Sequence, residues 1–400
     1  MENIFDLSVD ELKVVANELQ ERIEEGLRAD NQEILAIPTH VTPKLDVAEE
    51  RVLALDWGGT NFRAAVVEYK GEKATILEQV KHPLSKVETK GFNQERLFET
   101  FAAYIGELKT LDERVTKIGY CFSYPAASRL NGDAVLLRWT KGLDIPDMLG
   151  KPVGKSLVEY LNNNKNIHTT FTDIKVINDT VACLFSGLTE VKADGKPYDS
   201  YIGLILGTGT NMACLMPLDK IEKLNNKSAE LIPVNMESGN FCPTCFMAVD
   251  DLVDAVSNNK GSQRFEKAVS GGYLGQIFRM TFLHEKIKSS FDGGDLSHIV
   301  NHPSEHKPEH VAVANWIFGR SAKLAAASLA GISQVLVAQN SAVKDICLSV
   351  DGSVFWSNDY RYQVEAQLKD LLPQGVKLNI VDKERMQDPN LIGSAIAALS

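Results

Sequence analysis

Val52-Leu-Ala-Leu-Asp56-Trp-Gly58-Gly59-Thr60-Asn61-Phe-Arg63-Ala-Ala-Val-Val67 is the stretch whose reading decides the fold. An apolar run enters a glycine-rich turn and a second apolar run leaves it, which is the pattern of a β-hairpin. The tip has too little side chain to pack, and it presents backbone N–H groups and a hydroxyl in a concavity suited to phosphate. A second stretch repeats the design: Tyr201-Ile-Gly-Leu-Ile-Leu-Gly207-Thr208-Gly209-Thr210-Asn211-Met-Ala-Cys-Leu215. Neither is a G-x-x-x-x-G-K-[ST] loop, and neither is a G-x-G-x-x-G turn opening a helix, so the common nucleotide fingerprints do not apply. One such turn alone reads as a tight hairpin. Two in one chain, the first led by Asp56, read as an anion site.

Outward from these turns, strand patterns alternate with helix patterns. Residues 74–83, 117–122, 175–177, 346–350 and 376–381 read as strands. Residues 8–27, 94–108, 153–161, 181–188, 362–371 and 392–399 read as helices, with a mainly helical stretch over 249–329. The first helix opens on a Ser8-x-x-Glu11 capping box. The hairpin, helix and strand order, met twice, predicts two α/β domains of related plan, and 400 residues are enough for both.

The 44% hydrophobic and 24% charged composition is that of a soluble globular chain, and the acidic start is unlike a secretory signal. No apolar stretch approaches membrane length on this reading, so a cytoplasmic location is expected. A net charge of −11 argues against nucleic acid and anionic membrane as partners, while leaving room for an anionic substrate in a local nest. Cys121, Cys183, Cys214 and Cys347 lie in apolar segments and read as buried free thiols. Cys242-Pro-Thr-Cys245 has no second pair nearby to complete a zinc site and reads as structural or incidental. His298, His302, His306 and His310 would form a metal-binding stripe on an unbroken helix, but Pro303 and Pro308 break it, so a polar surface loop is expected.

Asp179 is the leading catalytic candidate. It follows a strand, precedes a helix, and lies where ligands collect in open α/β sheets. A carboxylate there can take a proton from a hydroxyl nucleophile, although a helix N-cap would account for the same residue. Asp56, beside the first turn, is placed to hold the water shell of Mg2+, and Arg63 and Lys141 supply positive charge.

These segments together resemble the hexokinases, sugar kinases of the actin-like ATPase superfamily. The resemblance runs from the Ile37-Pro-Thr39 connector to about Ser353. It is carried by Leu55-Asp56-x-Gly58-Gly59-Thr60-Asn61-Phe62-Arg63, Phe122-Ser123-Tyr-Pro125, Trp139-Thr140-Lys141-Gly142 and Asn178-Asp179-Thr180-Val181-Ala182. It continues through Gly207-Thr208-Gly209-Thr210-Asn211, Asn235-Met236-Glu237-x-Gly239, Ser270-Gly-Gly-Tyr273-Leu274-Gly275 and Val350-Asp351-Gly352-Ser353.

The resemblance implies two RNase H-like domains with mixed sheets around an interdomain cleft. Residues 46–180 plus 390–400 would form the small sugar- and phosphate-binding domain, and 1–45 plus 181–389 the large one. It implies ATP- and Mg2+-dependent phosphorylation of a hexose 6-hydroxyl, with Asp179 as base and Lys141 assisting. Ser123, Thr140, Lys141, Asn178, Asp179, Asn211, Glu237 and Gln276 would hold glucose, mannose or fructose. Asp56, Gly58, Gly59, Thr60, Asn61, Arg63, Thr208, Gly209, Asp351, Gly352 and Ser353 would handle nucleotide, phosphates and metal. A monomer or homodimer of one kinase unit is expected.

This chain departs from the family pattern at several points. Gln276 stands where Glu is usual, Trp57 replaces an aliphatic residue, and the run from Asn240 to Cys245 is atypical. Gly393-Ser394-Ala395 only partly matches the family's C-terminal G-x-G-K-G-A-A. Two other readings stand beside this one. A glucokinase or N-acyl sugar kinase of the repressor-kinase group would carry a denser cysteine-histidine zinc cluster. A non-catalytic sugar sensor of the actin-like fold has no need of Asp179, Lys141 and Asp56 together.

Overall fold

The computed structural model describes residues 3–45, 47–71 and 73–400; the expected boundary at 46 lies outside them. Strands run β1 (Ile37–Pro38), β2 (Glu49–Trp57), β3 (Asn61–Lys70), β4 (Lys73–Pro83), β5 (Lys117–Phe122), β6 (Ala126–Ser128) and β7 (Ala134–Leu136). They continue as β8 (Asp173–Ile177), β9 (Ser200–Leu206), β10 (Thr210–Pro217), β11 (Leu231–Asn235), β12 (Asp345–Asp351) and β13 (Lys377–Ile380). The helices are α1 (Val9–Arg28), α2 (Gln94–Ile105), α3 (Val153–Asn162), α4 (Asp179–Ser186), α5 (Ala248–Val256) and α6 (Arg264–Val269). The others are α7 (Gly271–Thr281), α8 (Gly293–Asn301), α9 (Pro308–Gln339), α10 (Tyr360–Leu371) and α11 (Pro389–Leu399).

Two mixed sheets share one plan. The first has the order β4-β3-β2-β5-β8, and the second β1-β11-β10-β9-β12-β13. In each, an antiparallel meander (β2-β3-β4, β9-β10-β11) is followed by two parallel strands (β5 and β8, β12 and β13) beside its first strand. Both glycine turns are hairpin tips, as expected: Trp57 faces Phe62 across the first, and Leu206 faces Thr210 across the second.

Helices α4 and α11 lie between the sheets. Their buried side chains, including Val181, Leu184, Leu391 and Ile396, share one apolar cluster with Val52 and Ala65 of the first sheet and Ala213 and Leu215 of the second. The two helices touch backbone to backbone: a Cβ on Gly393 would fall 1.8 Å from the Ala182 carbonyl oxygen. The partial C-terminal motif therefore serves close helix packing here. Trp57 turns away from its glycine tip, fully buried beneath the sheet, where its indole N–H donates to the Leu84 carbonyl at 2.9 Å. Its ring meets Phe101, Tyr124 and Trp139 at centroid distances of 5.3, 5.1 and 5.8 Å. The larger side chain thus fills core without entering the phosphate turn.

One expectation is corrected. Helix α9 is long and apolar enough to cross a membrane by length and composition, and 78% of its most apolar window is buried inside the protein. Arg320 and Lys323 hide that length in the sequence. In the fold, Arg320 is itself buried and paired with Asp250 at 2.9 and 2.5 Å, and α9 packs along α1 and α10.

Candidate active site

Asp179 is the first residue of α4, reached directly from the end of β8. The cap of that helix is Asn178, whose side-chain oxygen accepts the Thr180 N–H at 2.8 Å. One Asp179 carboxylate oxygen accepts the same N–H at 2.8 Å, and the half-buried side chain stays open to solvent on its other side. Capping is therefore met by Asn178, and Asp179 is available for chemistry.

Around it converge carboxylates from both sheets. The Asp179 charge raises the pKa of Asp56, at the end of β2, and of Asp351, at the end of β12. It also raises those of Glu237, after β11, and Glu266, in α6. In all four, burial is the larger cause of the upward shift. Carboxylates that repel one another in a desolvated site are costly unless a ligand needs them, and such clusters mark functional sites.

Beside the first glycine turn, Asp56 is almost fully buried and salt-bridged to Arg63 at 2.5 Å. Arg63 also reaches Asp388, at the start of α11, at 3.0 Å. The second oxygen of Asp56 makes no hydrogen bond of ordinary geometry among the described residues, and only the weakly donating Cys121 thiol lies near the carboxylate. A buried, unpaired carboxylate oxygen beside a glycine turn fits a hard cation or its water shell. Gly58, Gly59, exposed Thr60 and Asn61 form the first tip and its exit strand. Lys141 clamps that tip, its ammonium donating to the Gly58 carbonyl at 2.8 Å and the Ser123 carbonyl at 3.1 Å.

The second tip is pinned to α7, whose Gly271 and Gly272 N–H groups donate to the Gly207 and Thr208 carbonyls at 2.8 and 3.1 Å. The Asp351-Gly352-Ser353 turn presses against it. Gly352 has φ +121°, and a Cβ there would lie 2.3 Å from the Leu206 backbone. Thr208 and Ser353 line a cavity of about 330 Å³ with Gly271, Gly272, Gly293 and Gly294. Among the residues expected for nucleotide, Thr208 and Ser353 line this cavity, Gly209 and Gly352 adjoin them in the chain, and Asp56, Arg63 and the first tip are not among its lining residues.

A chain of polar side chains links β10 to the residues after β11. The Asn211 side-chain N–H donates to the Asn235 side-chain oxygen at 2.7 Å, and Asn235 donates to Glu237 at 2.7 Å. Glu237 has φ +55°, a left-handed backbone that aims its side chain. Ser123 is buried at the end of β5, and Thr140 is half-buried before Lys141.

The sequence reading missed Glu266. Its carboxylate accepts the Thr210 N–H at 3.0 Å, and a Cβ on Gly209 would sit 2.6 Å from the same oxygen. Burial chiefly raises its pKa, with smaller upward contributions from Glu237 and Asp179, while the Thr210 N–H and Lys141 lower it. The only signal was its position just before the Ser270-Gly-Gly-Tyr273 motif. Gln276, further along α7, makes no hydrogen bond to this set among the described residues, so the structure does not join it to the others.

A hexokinase family model matches residues 1–188, and a second hexokinase model matches 201–310 and 296–400. The chain belongs to the hexokinase family. This hexokinase-family chain is 31% identical to Hexokinase-3 of Mus musculus over 290 residues, covering 70% of this chain and 30% of that one. It is 29% identical to Hexokinase-2 of Solanum tuberosum over 448 residues, covering 97% of this chain and 88% of that one. The chain thus spans 30% of the length of its mouse relative and most of its potato relative. A solved hexokinase from Schistosoma mansoni, complexed with glucose, superposes with a TM-score of 0.81 at 24% identity, covering 99% of this chain and 96% of that one. The hexokinase-family fold is therefore the two-domain actin-like ATPase α/β fold, as the sequence implied.

Proposed function

We propose that this protein transfers a phosphoryl group from ATP to the 6-hydroxyl of glucose or a close hexose. The observation that carries the reading is the position of Asp179. It stands at the start of α4, directly after β8, within electrostatic reach of Asp56, Asp351, Glu237 and Glu266. Family membership and the glucose bound to the Schistosoma relative support it.

In this reading Asp179 accepts the proton of the sugar hydroxyl as that oxygen forms its bond to the terminal phosphorus of ATP. The bond between that phosphorus and the bridging oxygen breaks, and ADP leaves. Asn211, Asn178, Glu237, Glu266, Ser123 and Thr140 orient the ring through hydrogen bonds, so a sugar lacking a hydroxyl leaves buried polar groups unpaired. Lys141 holds the first tip against the Ser123 strand end, which keeps the tip's N–H groups directed at the phosphates. Asp56 is the residue that would hold Mg2+ through water. When bound, such an ion would supply charge neutralisation for the donor's phosphates. Closure of the site over the bound sugar would exclude bulk water, which could otherwise replace the sugar as acceptor.

The test is a coupled assay with Mg-ATP across glucose, mannose and fructose, alongside calorimetric sugar binding. Sugar 6-phosphate forming with saturation kinetics is the expected result. Tight glucose binding with no product would make the protein a sugar sensor instead.

A further inference from the structure

The four histidines span the end of α8, the exposed turn after it and the first turn of α9. Pro303 and Pro308 break the helix as the sequence predicts: α8 stops at Asn301, Pro303–Glu305 forms one 3-10 turn, and α9 begins at Pro308. That break folds the chain back on itself. His298 Nδ1 and His306 Nε2 lie 3.3 Å apart, and the ligand atoms of His298, Glu305 and His306 are all within 4.8 Å of one another.

We propose that His298, Glu305 and His306 form a site for a divalent transition metal of the zinc class. Two imidazole nitrogens bound at about 2.0–2.1 Å to one tetrahedral ion stand about 3.3–3.4 Å apart, which is the separation already present. The third donor is a carboxylate, giving the His2Glu set that zinc accepts with a fourth position left for water. Oxygen-preferring Mg2+ and Ca2+ are poor matches to two imidazoles.

The surroundings hold the ligands in place. His302 stacks on His298 with centroids 4.1 Å apart, and its Nδ1 lies 3.2 Å from the His298 carbonyl, so it braces the first ligand. His310 is not part of the set. Its Nε2 pairs with Glu285 at 3.0 Å and its ring packs on Phe282. Bound metal would tie the C-terminal end of α8 to the turn before α9.

The experiment titrates metal-free, tag-free full-length protein with Zn2+ against a chromogenic chelator, and with Co2+ followed by its visible ligand-field bands. The result expected is one equivalent of metal, with Co2+ bands of tetrahedral intensity. Affinity should fall at least tenfold in His298→Ala and in His306→Ala, and measurably in Glu305→Gln, while Cys242→Ser/Cys245→Ser binds as the parent does. Unchanged affinity in the histidine variants, or loss only in the cysteine variant, overturns the assignment. Because the readout is metal binding, the result does not depend on the sugar-kinase reading.

Discussion

Glu266→Gln separates binding from stability, because the structure assigns this carboxylate two opposed effects. Burial, with Glu237 and Asp179 beside it, pushes its pKa above the ordinary value of 4.5. In the folded protein without sugar it therefore resists ionisation that the unfolded chain accepts freely. Its contribution to stability is full below about pH 4.5 and is lost as pH rises through the raised folded value.

Gln is neutral at every pH and can still accept the Thr210 N–H through its amide oxygen. The variant should match the parent near pH 4.5 and exceed it at pH 7. A gain of about 1 kcal/mol is typical when an unfavourable functional charge is removed. With an unfolding entropy of roughly 2.1 cal/mol/K per residue, that gain raises Tm by only about 1 °C in a chain of 400 residues. Glucose affinity should move the other way. A hydrogen bond to a charged group contributes about 1.5–3 kcal/mol, so its loss weakens binding roughly 10- to 150-fold. Differential scanning fluorimetry from pH 4.5 to 8, paired with calorimetric glucose titration, reads both effects. A variant no more stable than the parent at pH 7, with undiminished glucose affinity, would refute the placement of Glu266 in the site.

Asp179→Ala should lower turnover by about 10²- to 10⁴-fold while glucose affinity stays within about tenfold, since Asn178 still caps α4; turnover within tenfold of the parent removes Asp179 as base. Gly393→Ala drives a methyl group into the Ala182 carbonyl, and urea unfolding should show a loss of about 1–3 kcal/mol despite the better helix propensity of Ala. A change below about 0.5 kcal/mol would mean that α11 and α4 are not in backbone contact. Arg320→Met strands the buried Asp250 carboxylate and should destabilise by about 3–5 kcal/mol in the same assay. Adding Asp250→Leu should restore most of that loss, and failure to do so would point to packing in place of charge.

Much of the fold is legible in the chain because local chemistry writes it. Continuous apolar runs around Gly58-Gly59 and around Gly207-Thr208-Gly209 specify hairpins whose tips cannot pack, and Ser8 with Glu11 closes a capping box that the structure contains. The same patterns place Asp179 where a strand meets a helix. They could not decide whether it was the cap. That depended on Asn178 turning its oxygen to the Thr180 N–H.

The sequence by itself determined the residue types at each turn, the strand and helix periods, and their order, since these depend on neighbours a few residues apart. Tertiary structure decided which charges meet. Arg63 pairs with Asp388 across 325 positions, Glu266 reaches a hairpin 56 residues earlier, and His298 meets His306 only because two prolines fold the chain back. It also turned the apolar length of α9 into core, by setting α1 and α10 against it. Desolvation and like-charge repulsion exist only once distant segments share one site, so the carboxylate cluster around Asp179 could not be read from spacing.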